Sequence, residues 1–364
     1  MGLFSSSVSL GLKTKAIFPY IERGFPTLTI REIAKIANVS PATVSLVINN
    51  RPGVSEAKRQ EILALLNKLN YAKGKRGKIG PSAPQSILFL KYIKTGFLVE
   101  ENAGFISKIL DAVEQECSKL SYTLRIQVEK KSLADAINAL DISHLDGLLV
   151  IGTEIDPSEY EVLHKIKLPY VVIDNSMPNF SCHSITMANE EMVHSAVTYL
   201  ASLGDGPIGY IHSQFDAQNF TERSNGFHST MAELGRETRK EFCYLLEPTL
   251  KGAYLGMKHY IKQGATFPSL IFADNDTLAI GGMRALAEAG YRIPDDIQIV
   301  GFDDVYLSAT SSPPLTTLHV QRTMIGRQAV RMLHEVICQG SAGDIKMKIG
   351  SGLVYRESTK EITR

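Results

Sequence analysis

The sequence predicts an N-terminal all-α headpiece, a helix-turn-helix, followed by an α/β core of two lobes built on parallel sheets. Three observations carry this. Two short apolar-striped helices separated by a tight turn occupy Thr29 to Asn50. From about Ile87, short aliphatic or β-branched runs (ILFL, LLVI, YVVI, SLIF, IQIV) alternate with amphipathic stretches such as Phe105 to Lys119, Asn189 to Leu203 and Leu278 to Ala289. Charge is also divided unevenly between the two parts. The alternation argues for parallel sheets covered by helices. About 280 residues is long for one doubly wound sheet, so two lobes with a cleft between them fit the length.

In the first part, Ile30, Ile33, Ala34 and Ala37 recur at i, i+3, i+4 and i+7, and Thr29 with Glu32 forms a capping box. Asn38-Val39 is the turn. Ser40 stands at the next N-cap and Pro41 at the first helical position, where its missing N–H removes nothing the helix would use. Val44, Val47 and Ile48 face the first helix, which leaves Pro41, Ala42, Ser45, Leu46 and Asn49 outward. That is the form of a helix-turn-helix whose second helix lies in a DNA major groove; on pattern alone, a plain helical hairpin reads the same way. Asn49 to Gly53 is a turn cluster, Ser55 caps a third helix, and Ile62, Leu65, Leu66 and Leu69 give it a stripe that closes a three-helix unit ending at Tyr71. Up to residue 84 there are 13 Lys or Arg against 4 Glu and no Asp, or +9, leaving 26 basic and 34 acidic residues, or −8, in the rest. A local basic excess is what phosphate contact requires.

No apolar run reaches about 18 residues, so no transmembrane helix is expected. The N-terminus lacks the basic region and long apolar segment of a secretion signal, and a cytoplasmic protein is expected. Cys117, Cys182, Cys243 and Cys338 have no short pairing and are read as buried, reduced thiols. His334-Glu335 followed by Cys338 resembles half a metalloprotease helix, but the second His is absent, so it reads as an ordinary helix face. The sequence has no Walker loop, no GxGxxG after a strand and no GxSxG elbow, and its nine His are dispersed. Asp303 and Asp304 are adjacent, and side chains of adjacent residues in an extended segment point apart. No enzyme activity, cofactor or metal is expected.

The segment VSPATVSLVINNRPGVSEAKRQEILALLNKLNY resembles the DNA-binding headpiece of the lactose-repressor (LacI/GalR) family of bacterial transcription regulators. The resemblance continues along almost the whole chain in the family's order: HLDGLLVIG from His144, LPYVVIDN from Leu168, ERSNGF from Glu222, PSLIFADNDTLAIGGMRALAEAGYRIPDDIQIVGFDD from Pro268, and PPLTTL from Pro313. It implies a core like periplasmic sugar-binding proteins, in which the chain crosses between lobes three times. It also implies a repressor of carbohydrate-utilisation genes, acting as a homodimer on a pseudo-palindromic operator under control of a small-molecule effector. A free sugar-binding module and a constitutive DNA binder are the alternatives. For the homodimer, Asn189 to Leu203 and Met324 to Ile337 are the candidate interface helices.

The family positions that hold phosphates or the helix start fall on Ser40, Thr43, Asn49, Ser55 and Tyr71, and base reading falls on Pro41, Ala42, Ser45 and Leu46. Pro41 and Ala42 can touch a thymine methyl but make no bidentate bond. Leu46 departs from the family, which commonly carries Arg there. In the core, Arg223 matches an arginine that binds vicinal hydroxyls or a carboxylate, a surface salt bridge being the plainer alternative. Asn275 lies between strand SLIF and the following helix, with Asp276 as that helix's expected N-cap. Asp303 follows IQIVGF and is expected to accept from ligand hydroxyls, with Asp304 structural. Asp174, ending YVVID, is a further candidate cleft acid, and Phe97, Phe105, Phe180 and Phe215 are candidates to stack on a sugar in a chain without Trp, a place in the core being the plainer expectation for each. These groups suit a carbohydrate; a purine or phosphosugar stays open.

Two segments depart from the family. The linker, Ala72 to Gln85, carries Gly74, Gly77 and Gly80, each weakening a helix by about 1 kcal/mol relative to Ala. Similar regulators form a hinge helix here that wedges the minor groove. This chain is expected to present a flexible basic tether in which Lys73, Lys75 and Arg76 contact phosphates. Residues 1–26 precede the usual family start, with no Met between Met1 and Met177, and are expected to be a disordered extension without an ordered role, the alternatives being a misplaced gene start, a non-ATG start having been passed over, and a genuine flexible arm.

Overall fold

The computed structural model describes residues 30–48, 51–68, 85–99, 103–130, 132–340 and 343–360. Thr29, Asn49, Leu69, Tyr71, Lys73, Lys75 and Arg76, like residues 1–26 and the linker as far as Pro84, lie outside the described residues. The chain divides into two compact units, up to Ser82 and from Ala83 onward.

The first unit contains α1 (Ile30–Ala37), α2 (Pro41–Ile48) and α3 (Glu56–Lys68). Ser40 caps α2 as its sequence position requires. Its Oγ accepts from the Thr43 amide at 3.1 Å and its carbonyl from Val44. The reversal between α1 and α2 runs through Asn38 at φ 50°, a left-handed conformation that Asn tolerates better than most residues. Ile33, Ala34, Val44, Val47, Ile62 and Leu66 close a small apolar core. Outward-facing Pro41 and Ala42 remain exposed.

The second unit runs β1 (Gln85–Tyr92), α4 (Ala103–Lys119), β2 (Tyr122–Glu129), α5 (Leu133–Asn138), β3 (Gly147–Ile151), β4 (Tyr170–Ile173), β5 (His183–Met187) and α6 (Asn189–Ser202). It continues through β6 (Ile208–Ser213), α7 (Gln218–Glu233), β7 (Cys243–Leu246), α8 (Leu250–Lys262), β8 (Leu270–Ala273) and α9 (Asp276–Glu288). It ends with β9 (Gln298–Asp303), α10 (Tyr306–Thr310), β10 (Thr316–His319), α11 (Arg322–Gln339), β11 (Lys346–Ile349) and β12 (Leu353–Val354). One sheet has the order β11-β5-β4-β3-β1-β2 and the other β12-β10-β9-β8-β6-β7. Every pairing is parallel except that of β12 with β10. The chain passes from the first sheet to the second after β5, returns between β10 and α11, and crosses again between β11 and β12, so there are three crossings.

The five runs read as strands are β1, β3, β4, β8 and β9, all central in their sheets, and the three amphipathic stretches are α4, α6 and α9. Central parallel strands are buried on both faces and so read as continuous apolar runs. Both candidate interface helices cover sheets. Buried Met192, Val193, Val197 and Leu200 on α6 belong to the main apolar cluster. α11 lies so close to α4 that a Cβ on Gly326 would come 2.5 Å from the Ile109 carbonyl oxygen. The thiol expectation holds for Cys117 and Cys182, which are buried, but Cys243 is half-buried and Cys338 exposed. His334 spends its ring nitrogen on the Tyr122 hydroxyl at 2.8 Å. Among the described residues no group of His, Cys, Asp or Glu has the arrangement of a metal site, and no helix is long and apolar enough to cross a membrane.

Candidate functional site

Parallel sheets place their ligand crevices beyond the carboxyl ends of the strands, and the cleft between the lobes lies there. The first lobe contributes Phe97, Leu98, Phe105, Thr153 and Asp174. The second contributes Ala217, Asn219, Phe220, Arg223, Pro248, Asn275 and Asp303. The cavity left between these side chains is about 30 Å³. All five cleft residues expected from the sequence (Arg223, Asn275, Asp303, Asp174 and Phe97) line it.

Arg223 is not a surface salt bridge: it is 3% exposed. Its Nε donates to Asn189 Oδ1 at 2.9 Å, its Nη1 to the Asp274 carbonyl, and its Nη2 to Asp303 Oδ1 at 3.4 Å. Its guanidinium lies 3.7 Å from the centroid of the Phe302 ring, so face, fork and stem are all fixed. Asp303 and Asp304 do point apart, but not through extended backbone, since their φ values are 113° and 53°. Asp303 turns toward Arg223, whereas Asp304 accepts from His319 Nδ1 at 2.7 Å and from Arg356 Nη2. Burial pushes the Asp304 carboxyl up and the Arg356 and His319 bonds outweigh it, leaving it below the usual range. Asp304 is structural, as expected.

Asn275, not Asp276, is the N-cap of α9. Its Oδ1 accepts from the Leu278 amide at 2.9 Å. Asp276 is the first helical residue and is fully buried, accepting from the Val305 amide and the Ser308 and Thr317 hydroxyls. Either residue is a good cap by composition; the three donors beneath Asp276, distant in sequence, decide the matter.

Asp174 sits just past β4 at φ 67°. It accepts from the Thr153 hydroxyl and, across the cleft, from Asn219 Nδ2 at 2.9 Å. Burial pushes its carboxyl up to about 6, with the Thr153 bond and the Arg223 charge opposing. Asn219 went unremarked in the sequence, although it lies four residues before Arg223 and so on the same helix face.

The loop bearing Phe97 is organised by a residue the sequence did not flag. Glu154, after β3, accepts backbone N–H bonds from Lys94, Thr95, Gly96, Leu98 and Val99 at 2.7 to 3.2 Å. Burial pushes its carboxyl up, and the donors of Thr95, Leu98, Gly96 and Lys94 outweigh it and hold it below the usual range. Phe97 is thereby set over Phe215, ring centroids 4.5 Å apart. Phe105 lines the cleft as a candidate should, but Phe180 does not, since it packs with Tyr160 and His164 in another cluster. Phe220, missed in the sequence, takes a place in the lining.

In the headpiece, Ser40, Pro41, Ala42 and Ser55 are exposed and Thr43, Ser45 and Leu46 half-buried. Leu46 leans its Cδ1 toward Gly53, so its apolar side chain rests partly on the headpiece itself.

Comparison with known proteins agrees at both ends of the chain. The model of the bacterial regulatory proteins, lacI family, matches residues 29–73, and that of a periplasmic binding protein-like domain matches residues 197–359. The HTH-type transcriptional repressor PurR of Mannheimia succiniciproducens is 30% identical over 340 residues, covering 92% of this chain and 99% of that protein. PurR of Pasteurella multocida is 31% identical over 340 residues, 91% of this chain and 98% of the relative. Among solved structures, a transcriptional regulator CelR–cellobiose complex aligns with TM-score 0.67 at 21% identity over 91% of this chain and 99% of that one. The lac repressor dimer bound to operator and the anti-inducer ONPF aligns with TM-score 0.67 at 22% identity over 92% and 99%. These structures share the fold. A capped helix-turn-helix, a two-lobed core crossed three times by the chain, and relatives matched over nearly their whole length place this chain in the LacI family of bacterial regulatory proteins, as a DNA-binding transcriptional regulator and not an enzyme.

Proposed function

We propose that this chain is a sequence-specific repressor of carbohydrate-utilisation genes whose operator affinity is set by a neutral, polyhydroxylated effector, a carbohydrate, held between Asp174, Asn275, Arg223 and Asp303. The charge of the cleft carries this reading. Its charged lining residues are Asp174, Asp303 and Arg223, two acids against one base, which disfavours phosphorylated or carboxylated ligands. Carboxylates, an amide and a guanidinium are the partners that answer paired hydroxyls, and the faces of Phe97, Phe105 and Phe220 supply the apolar wall. The three phenylalanines favour one second reading, a neutral nucleobase. A thermal-shift series on the full chain with glucose, cellobiose, glucose 6-phosphate, hypoxanthine and guanine separates them, because a true ligand stabilises by mass action. Stabilisation by a neutral sugar, lost in Asp303→Asn, is expected; stabilisation by a purine alone overturns the carbohydrate assignment.

On the DNA side, Pro41, Ala42, Ser45 and Leu46 read bases while Ser40, Thr43, Asn49, Ser55, Tyr71, Lys73, Lys75 and Arg76 hold phosphates. One recognition helix covers few base pairs, so a homodimer on a pseudo-palindrome doubles the site. Sheet edges are better candidates for that contact than α6 or α11. Edge strand β2 leaves Ile126 and Val128 exposed, and edge strand β7 leaves Leu245 exposed. Sedimentation showing a monomer at micromolar concentration, bound one to one with DNA, excludes the dimer.

A further inference from the structure

Behind the cleft wall, Asp274, the residue just past β8, is a fully buried acid that does not line the cavity. The hydrogen bonds its side chain accepts come from β6. One carboxylate oxygen accepts from the Tyr210 hydroxyl, and the other from His212 Nδ1 at 2.6 Å and the Ser213 amide at 2.9 Å. Its own amide donates to the Ile211 carbonyl at 2.9 Å. With both ends pinned, the Asp274 carbonyl is left aimed at Arg223 Nη1, one of the three anchors of that guanidinium. His212 differs from the others in reaching solvent: a quarter of its side chain, 24%, is exposed.

We propose that Asp274 is a positioning residue for Arg223, and that when His212 takes up a proton from solvent the change in its charge is felt, through Asp274, in the setting of the guanidinium in the effector cleft. This rests on the reading of Arg223 as an effector-binding group. The hydrogen bonds run without a gap from His212 Nδ1 to the Asp274 carboxylate, and the carbonyl of the same residue meets the guanidinium. Protonated His212 makes the contact an ion pair. Neutral His212 keeps an Nδ1–H donor but removes the charge, and the carboxylate then loses its counter-ion while the Asp274 amide stays bonded to Ile211.

The other groups facing His212 set the sense of the titration. Burial pulls the imidazole down, and the Asp274 bond and charge, with Asp216 from the following loop, raise it above its ordinary value. His228, from α7, is pushed down by burial and by His212 itself. The Tyr210 hydroxyl is held well above its usual range by burial and by Asp274, and burial and Asp274 also raise the Cys243 thiol on β7. Of these neighbours, His212 is the one whose charged form the surroundings favour.

The test is nitrogen NMR of the full ¹⁵N-labelled chain without ligand, following the His212 imidazole and the Arg223 Nε and Nη signals across pH. In the unaltered chain, Arg223 is expected to show a shift step with the same midpoint as His212. Asp274→Asn can keep the hydrogen bonds, with the Tyr210 hydroxyl turning to accept, so both midpoints move together to lower pH. His212→Gln abolishes the Arg223 step that shares the His212 midpoint and leaves the one near pH 6 that comes from Asp174 across the cleft. Arg223 signals that are insensitive to both substitutions, or an Arg223 step that keeps the His212 midpoint in His212→Gln, overturn the proposal. Because no ligand is present, this outcome is independent of whether the cleft binds a carbohydrate.

Discussion

Asn219 and Asp174 tie the two lobes together across the cleft: Nδ2 of Asn219, on α7, donates to Oδ1 of Asp174 at 2.9 Å and to its backbone carbonyl at 3.1 Å. Asn219 is itself held from the other side by Asn189 Nδ2 and the Thr186 hydroxyl. A ligand hydroxyl that reaches Asp174 therefore competes with an amide already in place. Asn219→Ala leaves a buried carboxylate short of one donor, a loss of about 1–3 kcal/mol. Chemical denaturation of the ligand-free protein is expected to show that loss, together with a larger radius of gyration by X-ray scattering as the lobes part. An unchanged radius would show that Asn219 does not hold the lobes closed.

Asp174 gives a pH prediction whose sign follows from its raised pKa. The folded protein holds this proton up to about pH 6, whereas an unfolded Asp releases it near 4. Asp174 therefore reduces stability progressively between those values and by a constant amount above them, about 3 kcal/mol for the full shift. Asp174→Asn is expected to melt higher than the unaltered chain at pH 7.5 and with it at pH 4.5. A gap that does not widen with pH refutes this account of the carboxyl.

Much of the fold was legible because central parallel strands leave apolar runs and their covering helices leave stripes. Edge and polar strands were not legible. β2 carries Arg125, Gln127 and Glu129 between its apolar residues, and β5 buries Ser184 and Thr186. The cleft residues legible in the sequence stood at strand ends inside matched motifs. Those missed depend on tertiary pairing: Glu154 matters through five amides some 55 to 60 residues away in the chain, and Asp274 through β6. Asp276 looked like a cap because local pattern cannot see Ser308 or Thr317.

Glu154→Gln tests how the Phe97 loop is built. A carboxamide offers one acceptor oxygen where the loop presents five donors, so at least two amides lose their partner, for a loss of about 2–4 kcal/mol. Hydrogen exchange at residues 94–99 is expected to accelerate selectively, with the amides of β3 still protected. Unchanged exchange in this loop would mean that Phe97 is held by packing alone.

Leu46→Arg probes base reading by α2. Leu46 has no hydrogen-bonding atom in its side chain, so in the unaltered protein it makes no hydrogen bond to a phosphate or a guanine and can meet a base only by apolar contact. The guanidinium is expected to favour guanine at one half-site position by about 1–3 kcal/mol in competition binding on a randomised duplex. Leu46→Ala is expected to leave the salt dependence of binding unchanged. Equal base preference in Leu46→Arg and the unaltered chain would place this side chain away from the bases.

Operator affinity measured with and without effector tests the central claim most directly. Fluorescence anisotropy of a duplex selected from random sequence, titrated with the full chain, is run in the presence and absence of the sugar that stabilises the protein. The sugar is expected to change operator affinity at least about tenfold, a coupling of about 1.4 kcal/mol. That change is lost in Asp303→Asn, whose affinity for the duplex alone stays within about twofold. A sugar response that survives intact in Asp303→Asn would contradict the assignment of the cleft as the regulatory site.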